Sequence, residues 1–346
     1  MERPYILHMF TPGRQMSPFD INMAADAGYQ IIVPYCEVGL GDITALTQDT
    51  IFSRGPKGVA RTGIFIGGRD ALLAADMLAR AKASMVKPFV VSVMADPSGA
   101  YTTAAAMVAC VEAALLRHHG QGLSGHRVVI LGGTGPVGRI AAVIAAQAGA
   151  QVQISSRHGI EVAEKAAAET AARFEVAVHG VSGSDAAAIR ASLADADIVL
   201  ACAAAGVQVL SAAGLAGATR LKVAADVNAV PPAGIEGVGV MDDARPLAGT
   251  AAVGIGALAV GNVKYQTQHR LLVQMCQAEK AVVIGFAEAF AMARGFLAEK
   301  AAEHAAGNAA EHASENAVGN AVGNAAEKPT QPAPAKPAGP ATGKPA

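Results

Sequence analysis

Short apolar runs alternate with amphipathic stretches through the first hundred residues of the chain. The runs at residues 31–33, 62–68 and 89–94 are rich in the aliphatic and aromatic residues of buried strands. Residues 20–27 and 70–87 instead carry their apolar side chains at helical spacing. Strands that alternate with helices predict an α/β domain with a largely parallel sheet.

The rhythm becomes more regular after residue 122. A long Ala-rich helix is predicted at residues 102–118, and the polar stretch 119–122 that follows is the natural domain boundary. Further strands are predicted at residues 127–131, 151–155, 175–178, 197–203 and 221–225, with helices at 136–147, 161–174, 184–193 and 207–216. Repeated β-α-β units of this kind predict a doubly wound parallel sheet of the Rossmann type.

The final segment of the chain differs in composition from everything before it. Residues 301–346 include no Leu, Ile, Met or aromatic residue, but they include 6 of the 17 prolines. So little apolar surface cannot offset the chain entropy lost on folding, and we predict a disordered Ala/Pro-rich tail at 299–346. An Ala-rich helix over 298–313 is the alternative, since Ala and Glu favour helices.

Composition and charge exclude several classes of function. The formal net charge is −1 and only 16% of the residues are charged, so no excess of Lys and Arg is present to neutralise nucleic-acid phosphates. No apolar run approaches the ~20 residues of a membrane span, and the first ten residues lack the pattern of a signal peptide. We therefore expect a cytoplasmic protein that binds neither nucleic acid nor membrane.

The cysteines are isolated from one another along the chain. Cys36, Cys110, Cys202 and Cys276 form no C-x-x-C pair and have no His at ligand spacing. We interpret them as buried thiols in a reducing compartment, and we expect no metal site.

A G-x-G-x-x-G motif lies between the predicted strand at 127–131 and the helix that follows it. Its first glycine, Gly133, is expected to permit a tight turn, Gly135 to let the backbone approach a pyrophosphate, and Gly138 to let helix and strand pack closely. The context of strand, turn and helix predicts dinucleotide binding at the helix N-terminus, with a purely structural glycine turn as the alternative. The residues predicted to bind the cofactor here are Gly133, Thr134, Gly135, Pro136, Val137 and Gly138.

The end of the next strand indicates which dinucleotide is bound. NAD enzymes usually carry Asp or Glu at this point to accept a hydrogen bond from the ribose 2′-hydroxyl. This chain has Ser156 and Arg157 instead, and a guanidinium suits a 2′-phosphate. We predict NADP, with NAD as a second cofactor; the alternative for Arg157 is a solvated loop cation.

Three polar segments follow predicted strands or precede predicted helices and could line a substrate pocket. They are residues 11–20, residues 96–103 and the region from 226 to 265. In the first two segments we predict that Ser17, Asp96 and Thr102 bind the substrate.

Seven blocks along the chain carry a resemblance to a known family: residues 16–20 (MSPFD), 46–49 (LTQD), 62–68 (TGIFIGG), 134–135 (TG), 226–232 (DVNAVPP), 254–257 (GIGA) and 262–268 (NVKYQTQ). With these blocks the chain resembles the bacterial NAD(P)-dependent methylene-tetrahydromethanopterin dehydrogenases, from about residue 5 to residue 293. The resemblance implies an N-terminal pterin-binding domain at 1–120, an NADP-binding Rossmann domain at 121–263 and a helix at 264–298 that packs back onto the first domain. It also favours a homo-oligomer.

The reaction implied by the resemblance is oxidation of methylene-tetrahydromethanopterin to methenyl-tetrahydromethanopterin, with hydride passing to NADP in one-carbon metabolism (formaldehyde oxidation in methylotrophs). Asp20 is the candidate that stabilises the developing cation or holds hydrogen-bond donors of the pterin, and Lys264 is the candidate that orients a pterin carbonyl. Asp226 and Asn228 are expected to line the nicotinamide cleft.

Each candidate also has a structural interpretation, and the function has competitors. Asp20 could be the N-cap of a helix that begins at Ile21, Asp96 a loop cap before Pro97, and Lys264 a surface cation. The competing functions are a methylene-tetrahydrofolate dehydrogenase, a non-catalytic NADPH sensor and an interaction protein tethered by its tail.

Overall fold

Five parallel strands form the first of two sheets in the computed structural model, which describes the backbone of residues 3–326 and Gly339 and the side chains of residues 3–307 and 339. The strands are β1 (Ile6–Phe10), β2 (Ile31–Tyr35), β3 (Thr62–Ile66), β4 (Ser92–Ala95) and β12 (Val283–Ile284), in the order β12-β4-β3-β1-β2. The helices α1 (Pro18–Asp26), α2 (Ile43–Phe52), α3 (Pro56–Val59) and α4 (Ala71–Ser84) connect the first four strands. Because these strands are parallel, their carboxyl ends meet at one edge of the sheet.

The second sheet has seven strands and the predicted doubly wound topology. Its strands are β5 (Arg127–Leu131), β6 (Gln151–Ser156), β7 (Val178–Ser182), β8 (Ile198–Ala201), β9 (Val223–Asp226), β10 (Arg245–Pro246) and β11 (Val253–Ile255). Their order is β10-β11-β9-β8-β5-β6-β7, and the described pairs are parallel except β10 with β11. The strand order reverses between β5 and β8, which is where open α/β sheets bind ligands.

Helices cover the second sheet and connect it to the first. They are α5 (Ala100–His119), α6 (Pro136–Gln147), α7 (Ile160–Phe174), α8 (Ala186–Leu193), α9 (Ala212–Leu215), α10 (Ala257–Gln277) and α11 (Phe286–Ala326). Both sheets lie within one compact unit, Met1–Ala298, and the predicted division of this unit at residue 120 stays a prediction. Glu299–Ala346 forms the second unit.

The helix α5 is the most apolar long helix among the residues that the structure describes. Together with the 3₁₀ turn before it (Pro97–Gly99), it is long and apolar enough to cross a membrane, but 78% of its most apolar window is buried inside the protein. It packs against α6 and α10. Its apolarity is therefore explained by its position in the core.

The chain returns to the first sheet by a route that differs from the predicted single helix at 264–298. The helix α10 ends at Gln277, and β12 then pairs with the edge strand β4, Val283 beside Val93. A run of β-branched residues in this short segment favours a strand over a continuous helix. At the start of α11, the Phe286 ring packs edge-on against Tyr101 and Phe174.

The C-terminal helix extends into the segment for which we predicted disorder. The backbone of α11 is helical through Ala326, in line with the alternative of an Ala-rich helix, because Ala and Glu have high helix propensity. The rest of the predicted tail lies outside the described residues, apart from Gly339.

The cysteine expectation holds for three of the four thiols. Cys110, Cys202 and Cys276 are buried, whereas Cys36 is exposed, so its predicted burial is wrong. Among the described residues, no group of three or more His, Cys, Asp or Glu side chains is placed to hold a metal ion.

Candidate active site

The tight turn after β5 depends on a glycine that precedes the predicted motif. Gly132 has a φ of 71°, and a Cβ on it would lie 2.8 Å from the backbone of Ala203. Gly133, the predicted turn residue, has no positive φ. A Cβ on it would lie 2.5 Å from the Cβ of Ile154 on β6 and 2.9 Å from the carbonyl oxygen of Ile130, so the close approach of the chain at this turn requires a glycine. Because Gly132 and Gly133 are adjacent, the sequence alone does not show which of them has a positive φ.

The other two motif glycines occupy the positions that the sequence predicts for them. Gly138 touches the turn so closely that a Cβ would lie 2.6 Å from the Cα of Gly133. Gly135 is the N-cap of α6, and a Cβ on it would meet nothing nearer than the carbonyl oxygen of Gly132 at 3.6 Å. The space in front of Gly135 is therefore open to a ligand.

The start of α6 has the features of an anion site. Pro136 occupies the first helical position, where no N–H is needed, and Arg139 donates the first intrahelical bond to the Gly135 carbonyl at 2.9 Å. The N–H groups of Val137 and Gly138 precede that bond, and such groups bind phosphates. Arg139 Nε also donates to the Thr134 carbonyl at 3.1 Å, which fixes the loop. These residues fit a dinucleotide pyrophosphate.

The end of β6 presents one exposed cation. Arg157 is exposed, and its Nε donates to His158 Nε2 at 3.2 Å. Ser156 is buried, and its hydroxyl oxygen accepts from the His158 N–H at 3.1 Å. Of the two predicted ligands for a 2′-phosphate, Arg157 is the accessible one.

Asp226 lies at the end of β9 and organises the loop that follows. Its carboxylate accepts from the N–H groups of Asn228 at 2.9 Å and Ile235 at 3.1 Å. Gly234 packs so closely against it that a Cβ would lie 2.6 Å from Oδ1. Burial raises the pKa of Asp226, and these hydrogen bonds to the carboxylate oppose the rise.

Asn228 joins this loop to the loop after β8. Its Oδ1 accepts from the N–H groups of Gly206 and Val230, both at 3.0 Å, and its Nδ2 donates to the Pro232 carbonyl at 2.7 Å. The polar atoms of Asp226 and Asn228 thus shape the predicted nicotinamide cleft through its loops. Their direct contact with the cofactor stays a prediction.

Three polar side chains from two distant parts of the chain meet beside the carboxyl end of β4. Asp20 lies in the first turn of α1, while Lys264 and Gln268 lie one turn apart on α10. Gln268 Oε1 accepts from Lys264 Nζ at 2.5 Å, and Gln268 Nε2 donates to Asp20 Oδ1 at 2.7 Å. The structure therefore joins the two predicted catalytic residues through a third residue that sequence reasoning missed.

The start of α1 excludes one structural interpretation of Asp20. The helix begins at Pro18, and Ser17 occupies the N-cap position without a capping bond from its side chain. The alternative in which Asp20 caps a helix beginning at Ile21 is therefore wrong. Asp20 instead points into the interior, while Ser17 is partly exposed at the start of the same helix.

Asp96 follows β4 and caps α5 from a fully buried position. Its carboxylate accepts from the N–H groups of Tyr101 at 2.9 Å and Thr102 at 3.1 Å, and from the Thr102 hydroxyl at 2.6 Å. Its interpretation as a cap agrees with these bonds. The polar groups of Asp96 and Thr102 bond to each other here, and their predicted contact with the substrate stays a prediction.

The Lys264 ammonium is held between an aromatic ring and a glycine. Its Nζ lies 3.7 Å from the centroid of the Phe19 ring, which is 47% exposed. Gly99, with a φ of 68°, leaves room for the lysine, since a Cβ there would lie 3.2 Å from Lys264 Cε. Lys264 is partly buried, so its interpretation as a surface cation is wrong.

Burial shifts the pKa of Asp20, Asp96 and Lys264. Burial and the nearby Asp96 carboxylate raise the pKa of Asp20 to about 7. Burial raises the pKa of Asp96, opposed by the Lys264 ammonium, and burial lowers the pKa of Lys264, opposed by both carboxylates. Because the pKa of Asp20 is about 7, the site gains one negative charge as Asp20 loses its proton near neutral pH.

Sequence reasoning missed Phe19 and Gln268, although the sequence contains weak indications of both residues. Phe19 and Gln268 stand inside the blocks 16–20 and 262–268, and Gln268 follows Lys264 by four residues, which places both on one face of a helix. Nothing in the sequence indicates that Gln268 would meet Asp20, because 248 residues separate them.

The chain is similar to two curated proteins and one described family. The family described as "Methylene-tetrahydromethanopterin dehydrogenase, N-terminal" matches residues 18–98. The NAD(P)-dependent methylenetetrahydromethanopterin dehydrogenase of Methylorubrum extorquens is 50% identical over 288 residues, which cover 83% of this chain and 97% of that protein. Bifunctional protein MdtA of the same organism is 32% identical over 277 residues, covering 80% of this chain and 94% of its own.

Solved structures with low identity also align with the chain. Shikimate 5-dehydrogenase from Listeria monocytogenes, solved with shikimate and NAD, aligns over 81% of this chain and 94% of its own length. The TM-score is 0.48 and the identity is 14%.

The two kinds of glycine in the turn predict opposite effects of a single methyl group. We expect Gly135→Ala to weaken dinucleotide binding about tenfold or more with little change in the free energy of unfolding, because its Cβ enters the open space. We expect Gly133→Ala to lower the free energy of unfolding by about 2 kcal/mol or more, because its Cβ overlaps β6. Binding titrations and chemical denaturation measure the two effects; equal losses of stability would contradict this division.

Proposed function

This chain belongs to the NAD(P)-dependent methylenetetrahydromethanopterin dehydrogenase family, and we propose that it oxidises methylene-tetrahydromethanopterin to methenyl-tetrahydromethanopterin by hydride transfer to NADP. The observation that carries the proposal is the 50% identity to such an enzyme over 97% of that enzyme's length. The buried cluster of Asp20, Gln268 and Lys264 supports it with a site suited to a reaction that creates positive charge.

The cofactor binds, in this proposal, along the carboxyl edge of the second sheet. The first turn of α6, with Gly135 at its N-cap, holds the pyrophosphate, and Arg157 holds the 2′-phosphate. The loops fixed by Asp226 and Asn228 border the nicotinamide. When bound, NADP supplies the acceptor for the hydride.

The protein has little proton chemistry to perform in this reaction. Loss of hydride from a carbon between two nitrogens leaves a cation that is stabilised by resonance, so no proton transfer has to accompany the step. The task of the side chains is to place the donor and acceptor carbons within about 3–3.5 Å and to stabilise the positive charge as it develops.

In our proposal Asp20 stabilises the developing positive charge, and Lys264 orients the substrate. The Asp20 carboxylate places a negative charge beside the proposed substrate site, which favours the cationic product electrostatically. The Lys264 ammonium can only donate hydrogen bonds, so it suits a pterin carbonyl oxygen and orients the ring. Ser17, partly exposed beside this site, is proposed to bind the substrate, and Asp96 and Thr102 are proposed to act at the same place.

Nothing observed favours the competing functions. A protein that only senses NADPH has no need of two buried carboxylates beside a partly buried ammonium. A methylene-tetrahydrofolate dehydrogenase has the same reacting centre and differs in the distal part of its substrate. The proposed cytoplasmic location and homo-oligomeric state stay predictions.

A steady-state assay tests the function directly. We expect turnover of methylene-tetrahydromethanopterin with NADP, followed as NADPH absorbance, and a kcat/KM at least about tenfold higher than with methylene-tetrahydrofolate. Binding of NADP without turnover of either pterin would contradict the proposal. A higher kcat/KM with methylene-tetrahydrofolate would show that the folate is the preferred substrate.

Removal of the Lys264 ammonium tests whether this group acts on turnover without affecting the binding of the cofactor. We expect Lys264→Ala to lower kcat with the methylene pterin by about 100-fold or more, because the substrate loses its orienting donor, while the Kd for NADP stays within about twofold. Lys165→Ala, on the exposed face of α7, is the control and should change neither value. An unaffected kcat would remove Lys264 from the mechanism.

Arg157 is predicted to discriminate between the two dinucleotides. We expect Arg157→Ala to raise the KM for NADP about tenfold or more and to leave the KM for NAD nearly unchanged, because only NADP carries the 2′-phosphate. Arg190→Ala removes another exposed arginine and serves as the control. Equal changes for both cofactors would contradict the assignment.

A further inference from the structure

Gln268 is a fully buried amide that contacts the two proposed catalytic residues at once. It lies on α10 with none of its surface exposed, one helical turn after Lys264. Its carbonyl oxygen accepts from Lys264 Nζ, and its NH₂ group donates to Asp20 Oδ1 at 2.7 Å. It therefore spans the gap between an ammonium on α10 and a carboxylate on α1.

The chemistry of its two partners fixes the orientation of this amide. An ammonium has donors only, so the carbonyl of Gln268 must face Lys264. The NH₂ group must then face Asp20, whose Oδ1 has to be free of a proton in order to accept. Glutamate at this position would lack the donor, and leucine would lack both groups.

We propose that Gln268 is a positioning residue that keeps Lys264 and Asp20 in separate, fixed places, so that the ammonium points to the substrate while the carboxylate stays available to the developing cation. The inference rests on the proposed function and deepens it. Gln268 acts in it through its two neighbours and does not touch the reacting atoms.

The surroundings of Lys264 support a position that is set from several sides. Phe19 lies against the ammonium at 3.7 Å, and the backbone of Gly99 lies along the end of the side chain. The Gln268 carbonyl supplies the hydrogen-bond acceptor that these two contacts lack. If that acceptor is removed, the nearby carboxylates of Asp20 and Asp96 attract the ammonium.

The NH₂ group of Gln268 also favours the charged form of Asp20. The charged groups that act on Asp20 are Asp96, which raises its pKa, and Lys264, which lowers it; the Gln268 hydrogen bond lowers it further, against the effect of burial. Loss of that hydrogen bond raises the pKa of Asp20. As the pH falls, Asp20 then becomes protonated at a higher pH than in the unaltered protein, where its pKa is about 7.

The test is the pH profile of kcat/KM for the methylene pterin with NADP, measured on Gln268→Leu and Gln268→Glu. We expect the acid limb to move upward by about one pH unit in the leucine variant, which lowers kcat/KM about tenfold at pH 6, with the KM for NADP within about twofold. We expect a larger upward shift in the glutamate variant, because a second negative charge is added beside Asp20.

Thr267→Val is the matched control for burial and helix position. Thr267 is equally buried on α10, but its hydroxyl donates within the helix to the Val263 carbonyl at 2.7 Å. We expect this variant to leave the acid limb in place even if it lowers the stability. An identical shift in Thr267→Val would assign the effect to the packing of α10 and overturn the proposal.

A second measurement does not depend on turnover. The titration of the Asp20 carboxyl carbon, followed by NMR in substrate-free protein, should have a higher midpoint in Gln268→Leu than in the unaltered chain. An unchanged midpoint, or an acid limb that does not move in either variant of an active enzyme, would overturn the role of Gln268. Absence of turnover in the unaltered protein would instead contradict the proposed function, while the NMR titration would still test Gln268.

Discussion

The burial of two carboxylates beside one ammonium constrains the whole site. A charged group removed from water is stable only when other groups pair with it or hydrogen-bond to it. Asp96 meets this requirement through the first turn of α5, and Asp20 meets it through Gln268 on α10. These hydrogen bonds join α1 to α10 and the loop after β4 to the first turn of α5.

The periodicity of the sequence was enough to predict the architecture. Alternating strands and helices gave the parallel sheets, and the glycine motif gave the place of the turn between β5 and α6. The strands β10, β11 and β12 were missed because two or three residues are too short for a recognisable pattern. The positive φ of Gly132 was not predicted, because only the backbone angles show which of two adjacent glycines adopts it.

Asp20 and Lys264 were predicted from the sequence as single residues, but Gln268 and the arrangement of the three side chains were not. Asp20 and Lys264 stood out by chemistry and resemblance, whereas the bridge between them depends on how α1 packs against α10. Contacts between residues so distant in sequence follow from tertiary packing, which local pattern does not encode. The same limit applies to Asp96, whose neighbours in sequence indicated a cap but not its proximity to Lys264.

The late position of β12 in the chain has a consequence for biosynthesis. This strand covers the edge of β4, yet it is translated after all seven strands of the second sheet. During synthesis the edge of the first sheet therefore stays open until residue 284 has been made. The helix α10 is likewise translated only after β1 to β11. Asp20 is thus made long before Lys264 and Gln268, and the polar contact between α1 and α10 can form only when the chain has passed residue 268.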